Sequence, residues 1–153
     1  MNEHVLIDER LGFAQTLPSE WYTDAAFLAQ EQEKIFARTW QLAGHAAQVA
    51  AVGDYFTALV AGEPLIVARG ADNQLRAFSN VCRHRAGPVA EGCGNRKNFQ
   101  CAYHGWTYSL DGRLVAAPEF GLVPIDAPAK LAPVRTAWPK STPTIDAFVK
   151  STP

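Results

Sequence analysis

Apolar residues recur at helical spacing in the first part of the chain and in short runs after it. In the first part, the apolar positions Phe27, Leu28, Ile35 and Phe36 would fall on one side of a helix, and Thr23 stands where an N-cap residue is expected. The pattern predicts an amphipathic helix of about four turns.

After residue 53, short apolar runs alternate with turn residues. The runs are at residues 55–60, 65–68, 75–78, 99–103, 106–110 and 114–117. Between neighbouring runs stand Gly62, Pro64 and the Asp111-Gly112 pair, which are typical of the turns of antiparallel hairpins. Residues 52–118 are therefore predicted to form a small antiparallel β domain.

The segments on either side of this domain have a different character. Residues 1–51 are interpreted as an N-terminal arm that carries the helix. Residues 119–153 are rich in proline, contain two copies of Lys-Ser-Thr-Pro and have no helical or strand period, so that an extended or disordered tail is predicted. The predicted fold class is all-β, a small antiparallel sandwich preceded by one helix.

Composition and charge argue against several classes of function. A length of 153 residues with 48% apolar composition suffices for one compact domain. The formal net charge of −1 predicts no binding to nucleic acid or to an anionic membrane, and no apolar run reaches membrane-spanning length. The acidic N terminus lacks the features of a secretory leader, so a soluble, cytoplasmic protein is expected.

Four of the chain's seven cysteine and histidine residues form two mixed pairs, Cys82 with His84 and Cys101 with His104. The odd number of cysteines, three in a chain without an export signal, argues against disulfides and favours metal binding. Because residues two apart on an extended segment point the same way, Cys82 and His84 can face one site from a single loop, and the second pair can do likewise from its own turn.

One thiolate and one imidazole from each loop suit a [2Fe-2S] cluster in which both cysteines bind one iron and both histidines bind the other. Two ferric ions and two sulfides carry a formal charge of about +2, so two thiolates leave the oxidised cluster neutral where four would leave it negative. An added electron is then accepted more easily, and the reduction potential is expected at roughly −150 to +300 mV. Such a site is an electron relay, and no catalytic residue is predicted.

A structural zinc site is an alternative for the same four residues, because Cys2His2 is a common zinc ligand set. Zinc fingers usually pair cysteine with cysteine and histidine with histidine, whereas each pair here is mixed. A zinc-binding structural module would be colourless and would carry no electron.

Residues 80–85 and 101–106 resemble the ligand motifs of the Rieske domain in the large (alpha) subunits of ring-hydroxylating oxygenases. The resemblance extends over residues 18–120 and looks closest to the members that oxidise choline or carnitine. It implies a Rieske-type (ISP-like) sandwich with a two-loop cluster-binding subdomain, in which Cys82, His84, Cys101 and His104 bind the [2Fe-2S] cluster. It also implies a reductase or ferredoxin as electron donor, an oxygenase catalytic domain or subunit as acceptor, and self-association.

The resemblance ends near Phe120, and no histidine follows His104. The remaining chain therefore cannot supply the 2-His-1-carboxylate iron site of the family's catalytic domain, and the only spare histidines, His4 and His45, lie upstream. A truncated large subunit, catalytically incomplete on its own, is expected, and a free-standing Rieske ferredoxin is the alternative. Arg83, Arg85, Arg96 and Lys97 lie in or near the ligand loops, where they would attract an acidic electron donor; ordinary solvated surface charge is the alternative.

Overall fold

Antiparallel β-strands are the main regular secondary structure of the computed structural model, which describes residues 16–118, 130–131, 133–137 and 147–150. The strands in this part of the chain are β1 Gln41–Gly44, β2 Asp54–Val60, β3 Glu63–Arg69, β4 Leu75–Ser79, β5 Cys93–Asn95, β6 Asn98–Gln100, β7 Thr107–Ser109, β8 Leu114–Ala116, β9 Pro133–Ala137 and β10 Ala147–Lys150. The larger sheet has seven strands in the order β1-β10-β9-β4-β3-β2-β5, and the smaller has three in the order β6-β7-β8. The predicted all-β class is confirmed.

Strand β3 lies between β4 and β2 in the larger sheet and is buried on both faces. Leu65 and Val67 belong to one core cluster, while Ile66 and Ala68 belong to the other, as expected where successive side chains alternate between the faces of a sheet. The cluster that contains Ile66 also includes Tyr108 of the smaller sheet. This cluster lies between the two sheets and holds them together.

Gly112 makes close packing between the sheets possible at the β7–β8 hairpin. Its φ angle is +83°, and a Cβ atom added there would lie 2.7 Å from Cε1 of Phe78 in β4. Only glycine combines this backbone conformation with this close approach.

The N-terminal helix is present but is divided into segments. Helix α1 is Glu20–Thr23 and helix α2 is Ala25–Glu31, and α2 continues as a π-helical turn at Gln32–Phe36. The prediction that Thr23 caps the helix is wrong, because Thr23 is itself helical. The backbone of Asp24 is extended instead, and its Oδ1 accepts a hydrogen bond of 2.8 Å from the Ala26 amide. None of the helices in the described residues has the length and apolar character needed to span a bilayer.

Strands β2, β3, β4 and β8 closely match the predicted apolar runs, whereas β1, β5, β9 and β10 had no counterpart in the pattern. Strand β9 pairs with β4, and β10 joins β9 to β1. These two strands lie in the region predicted to be an extended or disordered tail, most of which is outside the described residues. The division at residues 51 and 118 stays a prediction.

Candidate metal centre

A tight loop of residues 80–90, termed the first loop, follows β4 and contains the first mixed pair. The amide of Cys82 donates a hydrogen bond of 2.8 Å to the carbonyl of Gly87, and the amide of Ala86 donates one of 2.9 Å to the carbonyl of Cys82. Both hydrogen bonds that close the turn therefore involve the backbone of Cys82, and His84 lies within the turn.

Residues 101–106, termed the second loop, connect β6 to β7 and repeat this arrangement. The amide of Cys101 donates to the carbonyl of Trp106 at 2.9 Å, and the amide of Gly105 donates to the carbonyl of Cys101 at 2.9 Å. The backbone carbonyl of each cysteine thus accepts a hydrogen bond from the amide four positions later, and its backbone amide donates one to the carbonyl five positions later. The two loops share this pattern of backbone hydrogen bonds although their sequences differ.

The two loops face each other. A Cβ atom added to Gly87 would lie 3.8 Å from Sγ of Cys101 and 3.6 Å from Cδ1 of Tyr103, so the first loop packs directly on the second. On the histidine side, the rings of His84 and His104 have their centroids 4.5 Å apart at an interplanar angle of 65°. The structure therefore brings the two predicted pairs to one place.

The cysteines and histidines differ in their environment. Cys82 and Cys101 are free thiols that are only 3% and 2% exposed, and both belong to the core cluster between the sheets. His84 and His104 are half-buried, although the Nδ1 atom of His84 is itself buried. The thiols thus face the protein interior and the imidazoles lie nearer the surface.

Each histidine ring packs on an aromatic side chain of the second loop. The Trp106 ring is stacked on His84, with centroids 4.9 Å apart and planes 8° from parallel. The Tyr103 ring lies 3.9 Å from that of His104, at an angle of 32°, and is 63% exposed. These contacts restrict the orientation of both imidazoles, a role that the sequence alone did not distinguish from ordinary core packing.

Tyr108 contacts the first loop from β7. Its hydroxyl lies 3.4 Å from Sγ of Cys82 and accepts a hydrogen bond of 3.0 Å from the Arg83 amide. Burial, reinforced by the hydrogen bond with Cys82, raises the pKa of Tyr108 above its ordinary value. The hydroxyl therefore keeps its proton and can donate it to a thiolate at Cys82.

Asn80 is a buried polar residue at the base of the first loop, and sequence reasoning gave it no role of its own. Its side-chain oxygen accepts from the amides of Val89 and Ala90, and its side-chain nitrogen donates to the carbonyl of Ala90. An amide-bearing residue placed directly after an apolar strand and two positions before a ligand-type cysteine was the available signal.

The third cysteine, the two other histidines and Arg96 lie outside the two loops, whereas Arg83 and Arg85 belong to the first loop. His45 caps a 3-10 turn, where its Nδ1 accepts from the Ala47 amide at 3.1 Å, so it is a structural histidine. Cys93 is exposed on β5, and the guanidinium of Arg96 lies over the Tyr55 ring at 5.2 Å. Arg83 is exposed on the first loop, as is Arg85. His4 is outside the described residues.

The donor set fits a [2Fe-2S] cluster. Two buried thiols on one side and two oriented imidazoles on the other match one sulfur-ligated and one nitrogen-ligated iron. Among the described residues, no three His, Cys, Asp or Glu side chains converge on the position of a single ion. A binuclear cluster does not need such a group, because each iron takes only two protein ligands.

Comparison with known proteins identifies the family. A family model described as the Rieske [2Fe-2S] domain matches residues 39–126, more than half of the chain. The chain belongs to the Rieske [2Fe-2S] domain family. The [2Fe-2S] cluster predicted from the sequence is the cofactor of this family, so that prediction is confirmed.

Relatives of this Rieske chain are oxygenases. It is 45% identical over 106 residues to the chloroplastic choline monooxygenase of Beta vulgaris, a match that covers 69% of this chain and 24% of that protein. It is 44% identical over 115 residues to the alpha subunit of biphenyl 2,3-dioxygenase from Rhodococcus jostii (strain RHA1), covering 74% and 24% of the two chains. The chain spans about a quarter of the length of these curated relatives.

Solved structures support the same assignment. A quaternary ammonium Rieske monooxygenase superposes with a TM-score of 0.79 at 33% identity, over 90% of this chain and 37% of that chain. The predicted resemblance to the Rieske domain of oxygenase alpha subunits is therefore confirmed.

Proposed function

We propose that this Rieske domain transfers single electrons within an oxygenase system, with Cys82 and Cys101 bound to one iron and His84 and His104 bound to the other. The observation that carries the proposal is the equivalence of the two loops, each of which presents one buried thiol and one half-buried imidazole to the same site. When bound, a [2Fe-2S] cluster supplies one-electron redox chemistry.

The residues around the four ligands keep water out and fix the ligands in place. Burial of Cys82 and Cys101 protects their thiolates, and the Tyr108 hydroxyl, 3.4 Å from Cys82 Sγ, can donate a hydrogen bond to a thiolate there. Stacking on Trp106 and Tyr103 limits rotation of the two imidazoles. The half-buried histidine side is then the shortest route for an electron to enter or leave the domain.

The proposed electron donor is a reductase or ferredoxin, and the proposed acceptor is an oxygenase catalytic domain or subunit. The relatives are oxygenases or oxygenase subunits, and inter-subunit electron transfer is described for the quaternary ammonium Rieske monooxygenase. Exposed Arg83 and Arg85 give the first loop a positive charge that favours an acidic donor. Self-association is proposed on the same grounds, and free cysteines agree with a reducing compartment such as the cytoplasm.

Substitution of single cysteines and histidines tests the ligand assignment. We expect Cys82→Ser, Cys101→Ser, His84→Ala and His104→Ala each to reduce the iron content well below about two per chain and to bleach the visible spectrum. Cys93→Ser and His45→Ala are matched controls, since Cys93 is an exposed thiol and His45 caps a turn. Full iron content in a ligand variant, or equal loss in a control, would contradict the assignment.

A further inference from the structure

The first loop is closed at its base by a buried side-chain amide. Asn80 is 8% exposed, and its Oδ1 accepts hydrogen bonds of 2.9 Å from the Val89 amide and 3.0 Å from the Ala90 amide. Its Nδ2 donates a hydrogen bond of 2.8 Å to the Ala90 carbonyl. Three of the four hydrogen bonds that an asparagine side chain can make are therefore formed across the two ends of the loop.

These bonds are the first of three successive links between the two arms of the loop. Next to them, Val81 and Pro88 form an antiparallel bridge, and then the Cys82 amide bonds to the carbonyl of Gly87. The last link is at Cys82 itself. A change at Asn80 therefore reaches Cys82 through one intervening pair of residues.

The same residue also attaches the loop to the larger sheet. The backbone amide of Asn80 donates a hydrogen bond of 2.7 Å to the carbonyl of Pro64 in β3. Since Val89 and Ala90 are both buried, their amides need an acceptor within the protein, and the Asn80 side chain is that acceptor. Asn80 thus sets the position of the whole loop relative to the core.

We propose that Asn80 is a positioning residue for the metal centre, which holds Cys82 and His84 at the separation from the second loop that the cluster requires. This inference rests on the proposed assignment of Cys82 and His84 as ligands. Loss of the amide would widen the first loop. The cluster would then be bound less tightly and with an altered ligand geometry.

Two variants of Asn80 test the proposal in the iron-loaded protein. Asn80→Ala removes all three side-chain hydrogen bonds, whereas Asn80→Asp keeps the acceptor and loses the donor to Ala90. We expect Asn80→Ala to release iron to a chelator about 10- to 100-fold faster than the unmodified protein, and Asn80→Asp to have an intermediate rate. The g values of the reduced protein in electron paramagnetic resonance should shift in the same order.

Asn95 provides a matched control. Its side-chain nitrogen also joins two segments, with hydrogen bonds to the Val52 carbonyl at 2.9 Å and to Asp54 Oδ1 at 2.8 Å, but it lies outside both loops. We expect Asn95→Ala and Asn95→Asp to keep the iron-release rate and g values of the unmodified protein, even where thermal stability falls.

A purely structural role for Asn80 would lower the thermal unfolding midpoint and leave iron release and g values unchanged, and this result would overturn the proposal. If Asn80→Ala does not fold, the test rests on Asn80→Asp. An iron-release rate of Asn80→Asp equal to that of the unmodified protein would also overturn the proposal. An unmodified protein that binds no iron would instead contradict the proposed function, before any variant is compared.

Discussion

The Tyr108 hydroxyl lies 3.4 Å from Sγ of Cys82, and the amide of Arg83 donates to the oxygen of the same hydroxyl. If Cys82 is bound as a thiolate, as proposed, the sulfur has no proton to donate, so the Tyr108 hydroxyl is the donor in this contact. A hydrogen bond to a thiolate ligand stabilises the more negative, reduced state of a cluster more than the oxidised state. With Cys82 as a cluster ligand, as proposed, Tyr108 would link the smaller sheet to the reduction potential of the cluster.

From this contact we predict that Tyr108→Phe lowers the midpoint potential. The loss of one hydrogen bond of about 1 kcal/mol from the reduced state corresponds to roughly 40 mV for one electron. Protein-film voltammetry or a dye-mediated titration measures the change.

Tyr55→Phe is the control for this substitution. Tyr55 is a buried tyrosine whose hydroxyl donates its hydrogen bond to the Glu91 carbonyl, at 3.2 Å, and not to a sulfur. The midpoint potential of Tyr55→Phe should match that of the unmodified protein. A potential in Tyr108→Phe that stays the same or rises would show that the hydroxyl does not donate to Cys82.

A pair of glycine substitutions tests the contact between the two sheets. Gly112 and Gly62 have similar φ angles of +83° and +85°, but an added Cβ lies 2.7 Å from Phe78 at Gly112 and meets nothing within 4 Å at Gly62. Both alanine variants incur the conformational penalty of about 1–2 kcal/mol, and Gly112→Ala adds an overpacking penalty of roughly 1–3 kcal/mol. The free energy of unfolding, measured by denaturant titration, should fall further in Gly112→Ala. Equal losses in the two variants would show that the sheets separate easily at this hairpin.

The charge of the first loop predicts the salt dependence of electron entry. We expect the double variant Arg83→Gln with Arg85→Gln to be reduced several-fold more slowly by an acidic ferredoxin at low ionic strength, and the difference should vanish at high salt. Stopped-flow absorption at the cluster's visible band measures the rate.

Arg113→Gln is the control for electrostatic steering, since Arg113 is an exposed arginine on the β7–β8 hairpin that pairs with Asp111. It should leave the rate of reduction unchanged. An equal decrease in Arg113→Gln would indicate that overall charge, and not the first loop, controls the encounter.

The sequence patterns predicted those elements of the structure that are determined by residues close together in the chain. Strands β2, β3 and β4 follow from short apolar runs between turns, and the two mixed pairs follow from the spacing of Cys82, His84, Cys101 and His104. The fold class and the cofactor could therefore be predicted.

Features that depend on contacts distant in sequence could not be predicted in the same way. Strand β1 forms because it pairs with β10, about a hundred residues later, and the short, exposed strand β5 has no apolar run of its own. Similarly, the stacking of Trp106 on His84 and the bonds of Asn80 across the first loop depend on how the loops meet. A sequence pattern marks these residues as aromatic or polar but does not indicate what they contact.

The most direct test of the central claim is the visible and electron paramagnetic resonance spectrum of the anaerobically purified protein before and after dithionite, with iron and zinc counted on the same sample. We predict a red-brown protein with about two irons per chain, whose reduced form has a rhombic signal of low average g value. A colourless, zinc-loaded protein without a reduced signal would contradict the account and would indicate a structural metal site.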